Sequence, residues 1–469
     1  MAGEINVERL TPLDWIVPRT YLRVLLTFRT ATCPEANAQK FQTALHSTWR
    51  QIPWMSGRVV PVTSATTQKP TLEIHWKTSD GPPVLQDLGS IPVAYQALAL
   101  QGMPPDAFPE AIWPVRGFID EDLHNAGAPV FAASLFRFAD NGGVGLVICT
   151  HHNVTDAGGL DEIVRLLLQN VAEPSRSMSV SGERFNRLFE ALSPDLEVAD
   201  SKSLEDLLAV HPEYSMAPPV FPPEFPSCTS RVFSIPSTRI EDQKELLQKY
   251  TAVNPTTNTV ICALLWTVIT QIRMRGSTNL SPGATSRLAM AVNGRQRISP
   301  QFSTPENPYF GNVILYSLAE LSMGDLAARS SEETARELAK TCDAIATSSS
   351  PAKIDSRHIA ETYSLISRVE DHRAIFIGWD PFSGRDLTIT SWANLGLYDA
   401  DFGAELGKPE FVRLASAEAD GVSIILPRRR GTRDGPSCSV IEVTIMLRKD
   451  DMEALERDNL WRSLTASNS

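Results

Sequence analysis

The sequence predicts an α/β chain built as two large halves joined by an extended linker, and three observations carry that prediction. The chain has 469 residues, whereas a single core stops growing at roughly 250–300 residues. Strand-like and helix-like apolar patterns alternate on both sides of the midpoint, as mixed α/β or α+β layers require. Between them, "MAPPVFPPEFPS" from Met216 places five prolines in twelve residues, which forbids helix and interior strand alike. The expected divisions are a first domain over residues 1–195, a proline-rich crossover over 196–235 and a second domain over 236–469.

The elements follow in order. "TYLRVLLTF" from Thr20 reads as an early strand. From Asn37, Phe41, Leu45, Trp49 and Ile52 recur at helical spacing until Pro53 stops them. "FAASLFRFADNGGVGLVICT" from Phe131 reads as a hairpin, with "DNGG" supplying the positive-φ residues of its turn. After "HHNVTDAGG", the residues Leu160, Ile163, Val164, Leu167 and Val171 share one helical face. Past the linker, "TTNTVICALLWTVITQIRMR" from Thr256 is a capped, mostly apolar helix. An apolar strand at Ala289 follows, then helices through Leu338 and Ile345 and through Ile359 and Leu365. A strand bears Thr390 and Trp392. Two strands flank a basic loop from Gly421 onward and lead to a final helix.

Composition narrows the function. With 42% hydrophobic and 21% charged residues, the chain is that of a soluble globular protein. A net charge of -12 opposes non-specific binding to nucleic acid, so any anionic ligand needs a local basic pocket. The longest apolar run, "VICALLWTVI" from Val260, is about half the ~20 residues that span a bilayer. The opening "MAGEINVERLTPLDW" lacks the pattern of a signal peptide. Six scattered cysteines without a CxxC pair read as reduced core thiols. The expectation is a cytoplasmic protein.

Three stretches carry candidate chemistry. In the connection after a buried strand, His151, His152 and Asp156 precede a helix, with Gly158 and Gly159 freeing the backbone. A histidine there is either a general base, its ordinary pKa being about 6.5, or a satisfied ring in a polar turn. A zinc site at these residues is disfavoured because neighbouring strand residues face opposite ways. Next, "AMAVNGRQR" from Ala289 places Arg295 and Arg297 after a strand, to neutralise Asp401, to bind phosphate, or simply to be solvated. Finally, Asp401-Phe402-Gly403 is either a catalytic loop or a turn anchored through a salt bridge. "PRRRGTR" from Pro427 is either a hairpin tip or a phosphate clamp.

Taken together and in order, His152-Asn153-Val154-Thr155-Asp156, "NGRQR" at 293–297, "YFGN" at 309–312 and Asp401-Phe402-Gly403 resemble the HxxxDG, RxR, YFGN and DFGWG elements of the BAHD acyltransferases. The likeness is to the fungal branch that includes trichothecene acetyltransferases. Weaker echoes are "LTPLD" at 10–14, "SGR" at 56–58 and "SW" at 391–392. The chain departs from the pattern at Ala157, where the family has glycine, and in "DFGAELGKP", where it has tryptophan and glycine.

The resemblance implies two chloramphenicol acetyltransferase-like domains, each a mixed sheet flanked by helices, with a channel between them that admits acyl-CoA from one side and the acceptor from the other. It implies that His152 is the general base, that Asp156 holds the loop through a salt bridge with Gly158 beside it, that Arg295 pairs with Asp401, and that Thr390 and Trp392 line the channel. No metal and no permanently bound cofactor are expected, with acyl-CoA, acetyl-CoA first, as co-substrate and a small-molecule alcohol as acceptor. The enzyme implied is a monomeric O-acyltransferase of fungal secondary metabolism without nucleic-acid partner or membrane span. The alternatives are a condensation-type enzyme using a carrier-bound donor or an amine acceptor, suggested by the doubled histidine, and a catalytically silent binding protein of the same fold.

Overall fold

The computed structural model describes residues 4–30, 34–64, 67–172, 182–251, 254–276, 280–327, 331–403, 405–429 and 440–465. Its first large sheet has five strands in the order Phe411–Leu414, Tyr21–Arg29, Gly143–His151, Phe131–Phe138 and Leu85–Ile91. The Gly143–His151 strand is buried along its whole length. Its side chains alternate as a pleat demands: Leu146 and Ile148 join one core, and Val147 and Cys149 the core on the other face. The hairpin turn before it contains Asn141 at φ 51°. Asp140 accepts the N–H groups of Tyr95, Gln96 and Gly142 there. The helices Pro34–Gln51 and Ala157–Ala172 pack together on the face that bears Leu146 and Ile148.

The second large sheet has six strands in the order Cys228–Pro236, Val440–Arg448, Val422–Ile425, Leu387–Ser391, Thr285–Asn293 and Ile314–Ser322. Against it lies the helix Thr257–Gly276, whose residues from Thr259 through Thr270 are all buried. A helix apolar on every side has no solvent face to keep, which is why its sequence lacks amphipathic spacing. Thr256 caps it by accepting the Thr259 N–H at 3.1 Å, and Trp266 donates to Ser286 at 2.9 Å. A smaller sheet joins Asn6–Arg9, Pro70–Trp76, Arg58–Thr63 and Ala128–Pro129. The described cysteines Cys149, Cys228, Cys262 and Cys342 are free and buried. Among the described residues no helix is long and apolar enough to cross a membrane.

The chain does not respect a simple division by sequence. Within 196–235, the longest stretch without helix or strand is residues 216–227. The helix Leu204–Val210 precedes them, and Cys228–Pro236 is already an edge strand of the six-stranded sheet. In return, Phe411–Leu414 crosses back to pair antiparallel with Tyr21–Arg29. Phe310, Trp392, Leu397, Phe402, Val412 and Leu426 accordingly pack in the core of the first sheet.

That crossing strand is pinned by charge. Arg413 is fully buried and donates to both carboxylate oxygens of Glu442, at 2.6 and 2.9 Å. It also donates to the carbonyls of Gly102, Met103 and Val412. Arg413 lies on the five-stranded sheet and Glu442 on the six-stranded one, so the pair brackets both. Removing one partner of such a pair strands a buried charge. Glu442→Ala should therefore destabilise the fold by about 3–5 kcal/mol, read as a lower denaturant midpoint. A loss below ~0.5 kcal/mol, the scale of an ordinary surface change, would show that the pair does not brace the crossing.

Candidate active site

The strand Gly143–His151 ends in a turn whose backbone is held at every step. The His151 N–H donates to Val130 and the His152 N–H to Thr20, both at 2.9 Å, and the Val154 and Thr155 N–H groups return to the His151 carbonyl. The two histidines then diverge. His151 is fully buried, lies edge-on to Tyr21 with ring centres 5.4 Å apart, and accepts the Asn153 N–H at Nδ1. Burial, with the neighbouring His152 and His124 adding to it, pushes its pKa down to about 3.

His152 is only half-buried. Its carbonyl accepts the Asn312 side-chain N–H at 2.9 Å, so both its backbone groups are fixed. Its Nδ1 is enclosed, near backbone atoms of His152 and Thr155, without a well-formed hydrogen bond. Burial lowers the pKa of the ring below the ordinary histidine value; the backbone of His152 and Thr155, the charge of Asp156 and the Asn312 side chain pull the other way. At neutral pH the ring is an uncharged imidazole, able to take a proton.

Asp156 is fully buried and starts the helix Ala157–Ala172. Four donors surround it. Arg295 reaches Oδ1 at 2.8 Å and Oδ2 at 2.9 Å, Gly159 N–H caps Oδ1 at 2.8 Å, and Val313 N–H meets Oδ2 at 3.0 Å. The Arg295 guanidinium continues to the carbonyls of Tyr309 at 3.1 Å and Gly311 at 2.7 Å. The first, second and third motifs thus meet on a single ion pair. The pairing of Arg295 with Asp401 is overturned. Asp401 is exposed, and among the described residues its carboxylate accepts only the N–H of Gly403, at 2.9 Å. A buried guanidinium needs a buried carboxylate, and Asp156 supplies it.

In the DFG stretch it is Phe402 that is buried, edge-on to Phe28 and Phe41 with ring centres 4.8 and 5.4 Å away. Gly403 and Gly407 close the following turn at φ 87° and 65°, a region that favours glycine.

Sequence reasoning missed the support under His152. Asp14 of "LTPLD" accepts both the backbone and side-chain N–H of Asn312 at 2.8 Å, and also the N–H and hydroxyl of Thr11. Burial raises its pKa even so, against the nearby charge of Arg184 and these donors. Asn153 donates to the carbonyls of Asp14 and Val17. Arg184 holds the Val154 carbonyl at 2.6 Å and Glu8 at 2.7 Å. "YFGN" is one of the four ordered motifs and "LTPLD" a weaker echo, whereas nothing in the spacing marks Arg184.

Of the two glycines, Gly159 is the closed position: a Cβ there would lie 2.0 Å from the Thr155 hydroxyl and 2.2 Å from the Phe310 carbonyl. At Gly158 the nearest atoms are the far ends of the Arg295 and Asn293 side chains, at 3.0 and 3.2 Å. Thr390 is half-buried on the Leu387–Ser391 strand, and Trp392 is buried in the core with Phe310 and Trp54. Among the described residues, neither bonds to the His152 loop. His151, His152 and Asp156 do not gather as metal ligands, since Asp156 is fully engaged by Arg295 and backbone donors. Residues 430–433 of "PRRRGTR" lie outside the described residues, while Arg429 stacks 5.9 Å over Tyr398.

Two substitutions separate framework from surface. Phe402→Ala should cost about 3–5 kcal/mol as a buried aromatic is lost, whereas Asp401→Ala should stay within about 0.5 kcal/mol, both by denaturant titration. Gly159→Ala should abolish soluble, active protein, and Gly158→Ala should leave it folded; equal outcomes for the two glycines would refute the packing described.

Residues 98–460 match the transferase family, and residues 20–170 match the trichothecene 3-O-acetyltransferase-like N-terminal domain. The chain is 26% identical to the trichothecene 8-O-acetyltransferase of Fusarium sporotrichioides over 96% of both chains. It is 25% identical to O-acetyltransferase ptmV of Penicillium ochrochloron, covering 97% of this chain and 96% of that one. Among solved structures, TRI101 of F. graminearum complexed with coenzyme A and deoxynivalenol superposes with a TM-score of 0.82 over 98% of this chain and 99% of the other, at 18% identity. Vinorine synthase superposes with a TM-score of 0.62 over 98% and 94%, at 15% identity. At such identities the structural likeness is one of fold, and it bears out the two-domain α/β fold that the motifs implied. The ordered motifs and the family match agree, and the chain belongs to the transferase family.

Proposed function

We propose that the chain is a CoA-dependent O-acyltransferase that moves an acyl group, most simply acetyl, from acyl-CoA to a hydroxyl of a secondary metabolite, with His152 as the general base. The observation that carries this reading is the setting of His152: a half-buried imidazole whose burial lowers its pKa and whose backbone N–H and carbonyl are both tied down. The relatives support the substrate classes. They are named as O-acetyltransferases, and TRI101 was solved with coenzyme A alongside deoxynivalenol or T-2 mycotoxin.

The steps follow from that geometry. The imidazole accepts the proton of the acceptor hydroxyl as its oxygen attacks the thioester carbonyl. The tetrahedral intermediate collapses, breaking the carbon–sulfur bond. The departing thiolate, whose thiol has a pKa of about 8.5, takes the proton back from the imidazolium. Alcohol and acyl-CoA become ester and free CoA with no net proton change. Asp156 touches none of these atoms in this scheme; it positions the loop through Arg295.

His152→Ala should lower kcat/KM for acyl-CoA by about 10²–10⁴-fold. The folded variant should keep its thermal stabilisation by CoA, about 2.7 kcal/mol at 100 times Kd. Near-normal turnover in a folded variant would refute the assignment. Absence of stabilisation of the unmodified protein by any CoA species would favour a carrier-bound donor instead.

The pH profile gives a second check. Because burial lowers the His152 pKa, the base form survives below the ordinary value of about 6.5. Activity should hold as pH falls through that value and be lost only further into acid. An acid limb centred at or above pH ~6.5 would contradict the buried, neutral ring.

A further inference from the structure

A second cluster lies outside the His152 site, between the end of the helix Leu204–Val210 and the helix Ser356–Arg368. His211 and Glu213 come from the turn after the first helix, and His358 and Glu361 from the second. Nδ1 of His211 stands 2.9 Å from Oε1 of Glu213, and Nε2 of His358 stands 3.2 Å from the same oxygen. These three atoms all lie within 4.8 Å of one another. Glu213 and His358 edge a cavity of about 370 Å³.

Nε2 of His211 lies 3.3 Å from Oε2 of Glu361. Nε2 of His358 is enclosed and, among the described residues, makes no hydrogen bond of good geometry, although Oε1 of Glu213 stands 3.2 Å away. Glu361 is itself held by Lys202 at 2.7 Å and Arg357 at 2.9 Å on its other oxygen. A carboxylate on the far nitrogen of a histidine is the arrangement that orients metal-ligating imidazoles.

We propose that His211 Nδ1, Glu213 Oε1 and His358 Nε2 bind one divalent first-row cation of zinc's type, with water as fourth ligand. A tetrahedral zinc with bonds of about 2.0–2.1 Å sets its ligand atoms about 3.3 Å apart, close to the spacings to Glu213. Side-chain exposure is 1% for His211, 5% for Glu213 and 16% for His358, so entry and the water position fall on the His358 side. The ion would tie the turn at 211–213 to the helix Ser356–Arg368. That helix packs, through Ile359 and Tyr363, in the core containing Leu13, the neighbour of Asp14. The site is a staple for the fold, remote in role from the acyl-transfer chemistry.

The test uses the full chain, free of any affinity tag, stripped with a chelator and re-equilibrated with Zn²⁺. One zinc per chain should survive gel filtration, raise the melting midpoint by several degrees, and give way to Co²⁺ with the visible absorption of a four-coordinate ion. The double variant His211→Gln/His358→Gln should lose both the metal and the shift, and His75→Gln, a half-buried histidine outside the cluster, should keep them. Wild-type protein holding no zinc, or a double variant that holds it equally well, would overturn the proposal. If the double variant does not fold, the cobalt spectrum of the wild type decides alone.

Discussion

The buried pair between Asp156 and Arg295 is the constraint on which the rest of the site depends. The residues lie 139 positions apart, and each is almost wholly removed from water. Burying two such charges costs more than their attraction returns unless every remaining donor and acceptor is met. Here they are met by the N–H groups of Gly159 and Val313 and by the carbonyls of Tyr309 and Gly311. Those partners come from the helix start after His152 and from the "YFGN" stretch. The value of the pair lies in specification: it admits only the arrangement in which these segments lie against one another.

His152 is placed by that arrangement without touching it. Asn312, adjoining the Val313 N–H that Asp156 holds, reaches the His152 carbonyl, and Asp14 in turn holds Asn312 from below. The imidazole is left half-buried, and burial lowers its pKa below the ordinary histidine value. His151, one residue earlier, faces the other side of the sheet and is wholly enclosed against Tyr21. His151 closes the strand and His152 opens the turn after it, which gives two identical residues different environments.

The two halves are interleaved to hold this site rigid. The strand Phe411–Leu414 leaves the second half of the chain to extend the first sheet, and Arg413 on it reaches Glu442 in the second sheet. Phe402 seats the preceding loop between Phe28 and Phe41. The DFG stretch is therefore a packing device whose aromatic ring carries the contact, with its aspartate at the surface.

What the sequence determined by itself was local: the strand and helix patterns, the hairpin turn, the capped apolar helix at Thr256, and the ordered motifs that name the family. These rest on periodicity, turn chemistry and short spacing, all of which act within a few residues. What only the tertiary structure decided was partnership across the chain. The resemblance paired Arg295 with Asp401, and the structure pairs it with Asp156 instead, because an enclosed guanidinium demands an enclosed anion. The same holds for the support that Asp14, Asn312 and Arg184 give the His152 loop, for Gly159 against the Phe310 carbonyl, and for the convergence of His211, Glu213 and His358. None of these groupings as a whole has a spacing rule, since contacts between segments distant in the chain are set by how sheets and helices stack and by which polar groups that stacking shuts off from water.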